Sequence, residues 1–477
     1  MGSYNVLEPI LKDILGMLNP LREDWETRMK VISDLREVVE SVESLRVLMI
    51  VDKSIEFPVI YLSQRSFATK VDFGTRSVGA TVEPFGSFVS NLFSRWGDLD
   101  ISIELSNGSC ISSAGKKVKQ SLLGDLLRAL RQKGGYRRLQ FVAHARVPIL
   151  KFETIHQNIS CDISIDNLCG QIKSKFLFWI SQIDGRFRDM VLLVKEWAKA
   201  HDINNPKTGT FNSYSLSLLV LFHFQTCVPA ILPPLKDIYP GNLVDDLKGV
   251  RANAERQIAE ICAFNIARFS SDKYRKINRS SLAHLFVSFL EKFSGLSLKA
   301  SELGICPFTG QWEHIRSNTR WLPNNHPLFI EDPFEQPENS ARAVSEKNLA
   351  KISNAFEMTH FRLTSTNQTR YALLSSLARP FILQFFGESP VRYANYNNGH
   401  RRARPQSHKS VNSPLQAQHQ SHNAKKENRP NRSMSQQSVQ QHQSQPVRQI
   451  NGQVQQIWRP KSDGSQQPSP ANLEAEI

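Results

Sequence analysis

Near the start of the chain, Leu21, Trp25, Met29, Ile32 and Leu35 fall on one face of a 3.6-residue period, and residues 5–50 read as helices. The period then changes. Residues 56–105 carry strand and turn character, including Phe57-Pro58-Val59-Ile60-Tyr61-Leu62. Within this stretch Leu99, Ile101, Ile103 and Leu105 alternate strictly with Asp98, Asp100, Ser102 and Glu104, the signature of a half-buried strand. Residues 140–166 predict three more strands: Phe141–Ala145, Val147–Phe152 and Ile159–Ile165. The last sets Ile159, Cys161, Ile163 and Ile165 against Ser160, Asp162, Ser164 and Asp166. From Phe176 to about Phe386 helical patterns dominate, interrupted by Pro-rich connections near 229–240 and 323–337. Beyond about residue 390 the chain is rich in Gln, Ser, Asn, Pro and Arg and nearly empty of large apolar residues. Such a segment cannot offset its ordering entropy and is expected to be disordered.

The pattern predicts an α/β (α+β) architecture: a mixed sheet with helices, then a mostly helical domain and a disordered tail. The expected divisions are 1–50, N-terminal helices packing on the helical domain; 51–175, the sheet domain; 176–390, the helical domain; and 391–477, a basic Gln/Ser-rich tail. A length of 477 residues suits two or three domains, and 40% hydrophobic content supplies an ordinary core. The apolar run Ser213–Leu232 contains His223 and Gln225 and ends at Pro229, Pro233 and Pro234. It therefore reads as a buried helix and not a membrane span. No basic region followed by an apolar run opens the chain, and the six cysteines form no Cys-x-x-Cys pair. A soluble, intracellular protein in a reducing compartment, with no membrane partner, is the expectation.

Charge narrows the partner. The net charge is +15, of which residues 401–477 contribute +7 through 11 Lys+Arg against 4 Asp+Glu. Both parts are basic, which points to a polyanion. Lys116, Lys117, Lys119, Arg131, Arg137 and Arg138 are candidate contacts, although each by itself reads as a solvated charge.

The strongest chemical signal is Gly97-Asp98-Leu99-Asp100. Carboxylates two residues apart on one strand face stand roughly 7 Å apart at Cα and can share a divalent cation. If the strand of Asp162 lies alongside, a third carboxylate joins them. Hard oxygen ligands of this kind suit Mg²⁺ or Mn²⁺. Two such ions can activate an attacking hydroxyl and stabilise the leaving group in an in-line displacement. An isolated Asp-x-Asp is usually only a solvated strand face. What makes this one specific is Pro84-Phe85-Gly86-Ser87-Phe88 just upstream, a Gly-Ser turn entering the helix-like Ser87–Phe93, where phosphate is favoured.

Gly86-Ser87, then Gly97-Asp98-Leu99-Asp100, then Asp162 resemble the nucleotidyltransferase palm of the polymerase beta superfamily. More closely, the chain resembles the terminal nucleotidyltransferases, whose pattern also appears in Val194-Lys195-Glu196-Trp197-Ala198-Lys199, Phe211-Asn212-Ser213-Tyr214-Ser215 and Ile330-Glu331-Asp332-Pro333-Phe334-Glu335. The likeness covers roughly residues 20–365 and is nearest to plant small-RNA terminal uridylyltransferases. The resemblance implies a palm joined to a poly(A)-polymerase-associated helical domain. It implies that Asp98, Asp100 and Asp162 are the catalytic, metal-holding acids. Gly86, Ser87, Lys195, Lys199 and Ser213 would hold the triphosphate, Tyr214 would stack on the base, and Asp332 and Glu335 would belong to the base-reading loop. Lys195 and Lys199 lie one helical turn apart, so both ammonium groups can reach one polyanion.

The implied activity is template-independent addition of UMP from UTP to RNA 3′ ends, with unmethylated small RNAs marked for decay. The implied setting is the cytoplasm and/or nucleus, including cytoplasmic RNA granules, with RNA-silencing or decay proteins recruited through the tail. RNA adenylyl transfer is the nearest rival, and a catalytically inactive RNA- or protein-binding scaffold a more distant one. Two positions depart from the pattern: Lys173 stands where close relatives carry an Asn at a ribose contact, and Glu338 where a uridine-selective relative carries a His.

Overall fold

The computed structural model describes residues 2–46, 80–105, 111, 114–366 and 368–387. The strand expected at Phe57–Leu62 and the tail expected at 391–477 lie outside them.

Helices α1 (Gly2–Leu18), α2 (Arg22–Ser41) and the short α3 (Glu43–Arg46) open the chain. The palm follows as β1 (Thr81–Phe85), α4 (Gly86–Val89), β2 (Leu99–Glu104), α5 (Lys116–Lys133), β3 (Tyr136–Val142), β4 (Ile149–Thr154) and β5 (Ser160–Ile165). Its five strands form one sheet in the order β1-β2-β5-β4-β3. β2 and β5 are parallel while every other neighbouring pair is antiparallel, which makes the sheet mixed as predicted. The alternation does its work on the inner strands: Leu99, Ile101, Ile103, Cys161 and Ile163 are fully buried. Leu122, Leu123, Leu126 and Leu130 of α5 cover that face.

β3 begins five residues earlier than the apolar run suggests. It is an edge strand whose register shifts between Arg137 and Gln140, with Arg138 at a positive φ. Charged, exposed positions on a bulged edge hide a strand from any apolar pattern.

The N-terminal helices divide between two cores, and this corrects the expectation that both pack on the helical domain. Leu7, Ile10, Leu11, Ile14 and Leu18 of α1 join the helical core. Val31, Ile32, Leu35, Val38 and Val39 of α2 join the palm core. Trp25 of α2 anchors this second contact, with its ring 4.9 Å from that of Phe88 and 4.6 Å from that of Phe93.

The helical region comprises α6 (Leu168–Ile183), α7 (Gly185–Ala200), α8 (Ser213–Gln225), α9 (Leu243–Asp246), α10 (Arg251–Ser271), α11 (Leu282–Ser294), α12 (Leu296–Lys299), α13 (Glu346–Thr364), α14 (Arg370–Leu377) and α15 (Pro380–Leu383). α6 already contributes Leu168, Ile172 and Phe176 to the helical core, so that core begins directly after β5 and not at residue 176. Every residue of α8 from Ser215 to Gln225 is buried, the environment its unbroken apolar run requires. No helix among the described residues is long and apolar enough to cross a membrane. The helical pattern did not foresee a hairpin, β6 (Leu303–Cys306) and β7 (Gln311–His314), which lies under the 330–335 segment. Cys161, Cys169, Cys227, Cys262 and Cys306 are free thiols.

Candidate active site

β2 and β5 place Asp100 and Asp162 as direct cross-strand partners in a parallel pair, and Asp98 immediately precedes β2. The rest of the polar strand face has structural duties. Glu104 accepts hydrogen bonds from Ser102, Gln171 and Arg251, and Asp166 accepts the Leu105 amide at 2.9 Å. At the other end of the strand face Asp98, Asp100 and Asp162 lie close together, and their charges act on one another.

The effect is electrostatic. Burial and then the neighbouring Asp162 raise the Asp98 carboxyl above its ordinary range. For Asp100, burial, Asp162 and Asp98 together push the value up to about 7. Lys151, opposite Asp162 on β4, ion-pairs with one of its oxygens, and the other is buried with no hydrogen-bond partner among the described residues. A buried, unsatisfied carboxylate oxygen beside two acids that resist ionisation is the donor set a hard divalent cation would satisfy. The three side chains are not converged on one point: no such ligand group of three or more is gathered among the described residues.

Gly86 sits against this cluster at φ +68°, and a Cβ there would overlap the Asp100 carboxylate. Both facts require glycine. Its amide, however, donates to Ser174 Oγ at 2.7 Å. α4 is also only four residues long, ending before Asn91, which takes φ 56°. The helix foreseen over Ser87–Phe93 is therefore a single turn. Gly86 shapes the site sterically and does not offer its amide, whereas the Ser87 hydroxyl has no partner among the described residues.

Lys195 and Lys199 reach the acids from α7. Burial first, then repulsion by Lys199, lowers the Lys195 ammonium to about 8, while Asp100 and Asp98 work in the other direction. Its Nζ donates to the Leu92 carbonyl at 2.8 Å. Lys199 is likewise lowered by burial and by Arg379, against Glu196 and Asp98. Both ammonium groups interact electrostatically with the acids, yet neither ion-pairs with them among the described residues. At the start of α8, Asn212 caps the helix by accepting the Ser215 amide at 2.7 Å, fixing Ser213 and Tyr214 in its first turn. Ser213 Oγ accepts from Asn204 Nδ2 at 3.2 Å.

A second cluster joins distant parts of the chain. The Tyr214 hydroxyl donates to Asp332 Oδ1 at 3.1 Å. The same oxygen accepts the amides of Phe334 at 3.1 Å and Glu335 at 3.2 Å, so Asp332 also builds the turn that carries Glu335. Lys173 Nζ donates to Asp332 Oδ2 at 2.5 Å and ion-pairs with Glu335, 5.4 Å from the centre of the Tyr214 ring. Arg146 stands outside, 3.6 Å from Glu335 and 3.2 Å from Glu338.

Three contributors escape motif reading. Lys151 and Ser174 carry no sequence signal, since a lone Lys or Ser is unremarkable. Arg28 had one: it lies at helical spacing from Trp25, Ile32 and Leu35, on the face that must be buried. It is 2% exposed and donates to the carbonyls of Asp24 (2.9 Å), Arg95 (3.0 Å) and Gly97 (2.7 Å), pinning the loop that delivers Asp98.

Comparison with known proteins agrees with this geometry. Residues 64–182 match the central palm domain of the mitochondrial-like poly(A) RNA polymerases. The Arabidopsis thaliana protein HESO1 is 59% identical over 365 residues, which are 76% of this chain and 65% of the relative. Terminal uridylyltransferase cid1 of Schizosaccharomyces pombe is 27% identical over 302 residues, covering 59% of this chain and 68% of the relative. The structure of Cid1 with the UTP analogue UMPNPP aligns with a TM-score of 0.56 at 20% identity, over 79% of this chain and 99% of that one. The chain thus spans 65% of the length of its Arabidopsis relative. The chain shares the fold of Cid1, and its similarity to these proteins agrees with the resemblance read from the motifs.

Proposed function

We propose that this chain is a template-independent RNA terminal uridylyltransferase, adding UMP from UTP to RNA 3′ ends with release of pyrophosphate. The observation that carries the reading is the register of β2 and β5: Asp100 and Asp162 lie side by side, with Asp98 adjacent and Lys195 and Lys199 facing them. Asp98, Asp100 and Asp162 would hold divalent ions, Mg²⁺ or Mn²⁺, which supply activation of the 3′-hydroxyl and neutralisation of the departing pyrophosphate.

The chain's own groups do the rest. The two α7 lysines would neutralise the triphosphate, and the Ser87 and Ser213 hydroxyls would donate to it. Gly86 leaves room for the Asp100 carboxylate. Tyr214 offers its ring to the base, and Asp332 and Glu335 line the base's edge.

Uridine is favoured by the similarity to the terminal uridylyltransferase cid1. Adenylyl transfer is the second reading, because the matching palm family is that of poly(A) RNA polymerases. Unmethylated small RNAs belong to this reading as substrates, because a free 2′-hydroxyl can donate as well as accept a hydrogen bond. A setting in cytoplasm, nucleus or RNA granules, and silencing or decay partners engaged through the tail, belong to this reading too.

The test incubates purified full-length protein with a divalent cation, each nucleotide in turn, and an oligoribonucleotide with either a free or a methylated terminal 2′-oxygen. Extension by UTP, faster on the free end, is expected. Extension by ATP alone would replace this reading with the second, and equal rates on the two ends would remove the preference for unmethylated RNA.

A further inference from the structure

Lys173 is the feature of the second cluster that the proposed chemistry leaves unused. It comes from α6, whereas its partners lie 159 and 162 residues further along the chain. The three side chains are 14% (Lys173), 6% (Asp332) and 13% (Glu335) exposed, so this is a desolvated arrangement. Burial alone would lower the Lys173 ammonium, but Asp332 and Glu335 outweigh it and hold the value above the ordinary one. The group stays charged across the working pH range. An ammonium carries three N–H donors and no acceptor. One goes to Asp332 and one to Glu335, which leaves one donor beside the face of Tyr214.

This arrangement reverses what the loop would offer a base. Two bare carboxylates present only acceptors, and acceptors favour a base edge with an exocyclic amino group, as in adenine or cytosine. Lys173 occupies one oxygen of each acid and sets a charged donor in their place. A donor there favours a carbonyl. Uracil presents two carbonyls flanking one N–H, so it can accept from the lysine while giving its N3–H to the Glu335 oxygen that Lys173 does not take. Asp332 Oδ1 is already filled by Tyr214 and the Phe334 and Glu335 amides. Resting on the reading that a nucleotide's base lies against Tyr214, we propose that Lys173 touches the base and sets the choice of uracil over adenine. The position that departs from the family pattern is then the specificity residue of this chain.

The experiment measures kcat/KM for UTP and ATP in the full-length protein and in Lys173→Met, Lys173→Gln and Lys173→Arg, with the melting temperature of each. Wild type is expected to prefer UTP. The Met and Gln variants should lower the UTP/ATP ratio by about tenfold or more, chiefly through the KM for UTP. Arg, which keeps charge and donors, should restore most of the ratio. If Met and Gln lose both nucleotides equally, Lys173 is only a brace between α6 and the loop and the inference falls, while the uridylyltransferase reading stands. If wild type itself prefers ATP, both fall.

A second arm needs no variant. Sulfur accepts hydrogen bonds weakly, so replacing UTP by its 2-thio or 4-thio analogue weakens whichever carbonyl Lys173 meets. One analogue should be used several-fold less well than UTP, and equal use of all three would overturn the proposal even if the Met and Gln variants fail to fold.

Discussion

Two acidic clusters of this protein are built on opposite principles. At Asp98, Asp100 and Asp162 a single ion pair, Lys151 with Asp162, forms among the described residues, and burial with mutual repulsion pushes Asp98 and Asp100 toward protonation despite Lys195 and Lys199 nearby. At Asp332 and Glu335 a lysine sits between the acids, and its charge outweighs burial to hold Glu335 below its ordinary range. The first cluster stores a demand for positive charge, which suits recruiting divalent ions with their phosphates. The second is nearly balanced and has no reason to take up an ion, which suits an uncharged heterocycle. In the proposed function, charge balance, more than residue type, separates the cluster assigned to chemistry from the one assigned to recognition.

The sharpest way to break the comparison is at the unbalanced end. Asp98→Ala with Asp100→Ala should reduce nucleotide addition by at least ~10³-fold, about 4 kcal/mol of barrier, while leaving the fold intact. Near-normal tailing by a folded double variant, free of contaminating enzyme, would dissolve the distinction between the clusters. Next in size is the support of that end. Arg28→Met strips three backbone carbonyls of a buried donor and should lower unfolding stability by about 2–3 kcal/mol, read from denaturant midpoints.

Lys195→Ala should raise the apparent KM for nucleotide by roughly tenfold with a smaller effect on kcat, because the lysine meets the triphosphate in the ground state. A change confined to RNA affinity would move Lys195 out of the nucleotide site.

The balance also predicts a pH effect. Asp100 titrates near 7 when folded against 3.8 as a free group, so the native state holds the extra proton between those values. In the ion-free protein this group's effect on stability therefore worsens as pH rises from about 4 to 7. A divalent ion needs the carboxylate, so the melting-temperature gain from Mg²⁺ or Mn²⁺ should be larger at pH 8 than at pH 6. A gain independent of pH would mean that the ion binds elsewhere. The smallest effect concerns the tail. Truncation after residue 397 removes a net +7 of charge and none of the proposed site residues. It should leave addition intact at saturating RNA while making the salt dependence of RNA affinity shallower.

Much of the palm was legible because its chemistry and its folding share one period. Asp98, Asp100 and Asp162 alternate with the very residues that bury β2 and β5, so a pattern of period two exposes core and site together. The helical region yielded less. Its hairpin at Leu303–His314 is short and is held by Glu331, which accepts from Trp321 at 2.7 Å and Cys306 at 2.9 Å, contacts no local pattern encodes. α2 shows the same limit: its apolar face was plain, but the face could not say which core it serves until Trp25 met Phe88 and Phe93. The role of Lys173 was invisible for a related reason. Its partners lie more than 150 residues away, and only tertiary packing makes a lone lysine part of a buried cluster with Asp332 and Glu335.

The account turns on whether the three acids of β2 and β5 serve nucleotide transfer. The most direct measurement is single-nucleotide addition to an unmethylated oligoribonucleotide by wild type and the Asp98/Asp100 double alanine variant, with UTP and ATP compared and divalent ion added or chelated. Ion-dependent extension by wild type, stronger with UTP and abolished in the folded variant, is the predicted result. Extension that survives chelation, or that the variant performs as well as wild type, would contradict it.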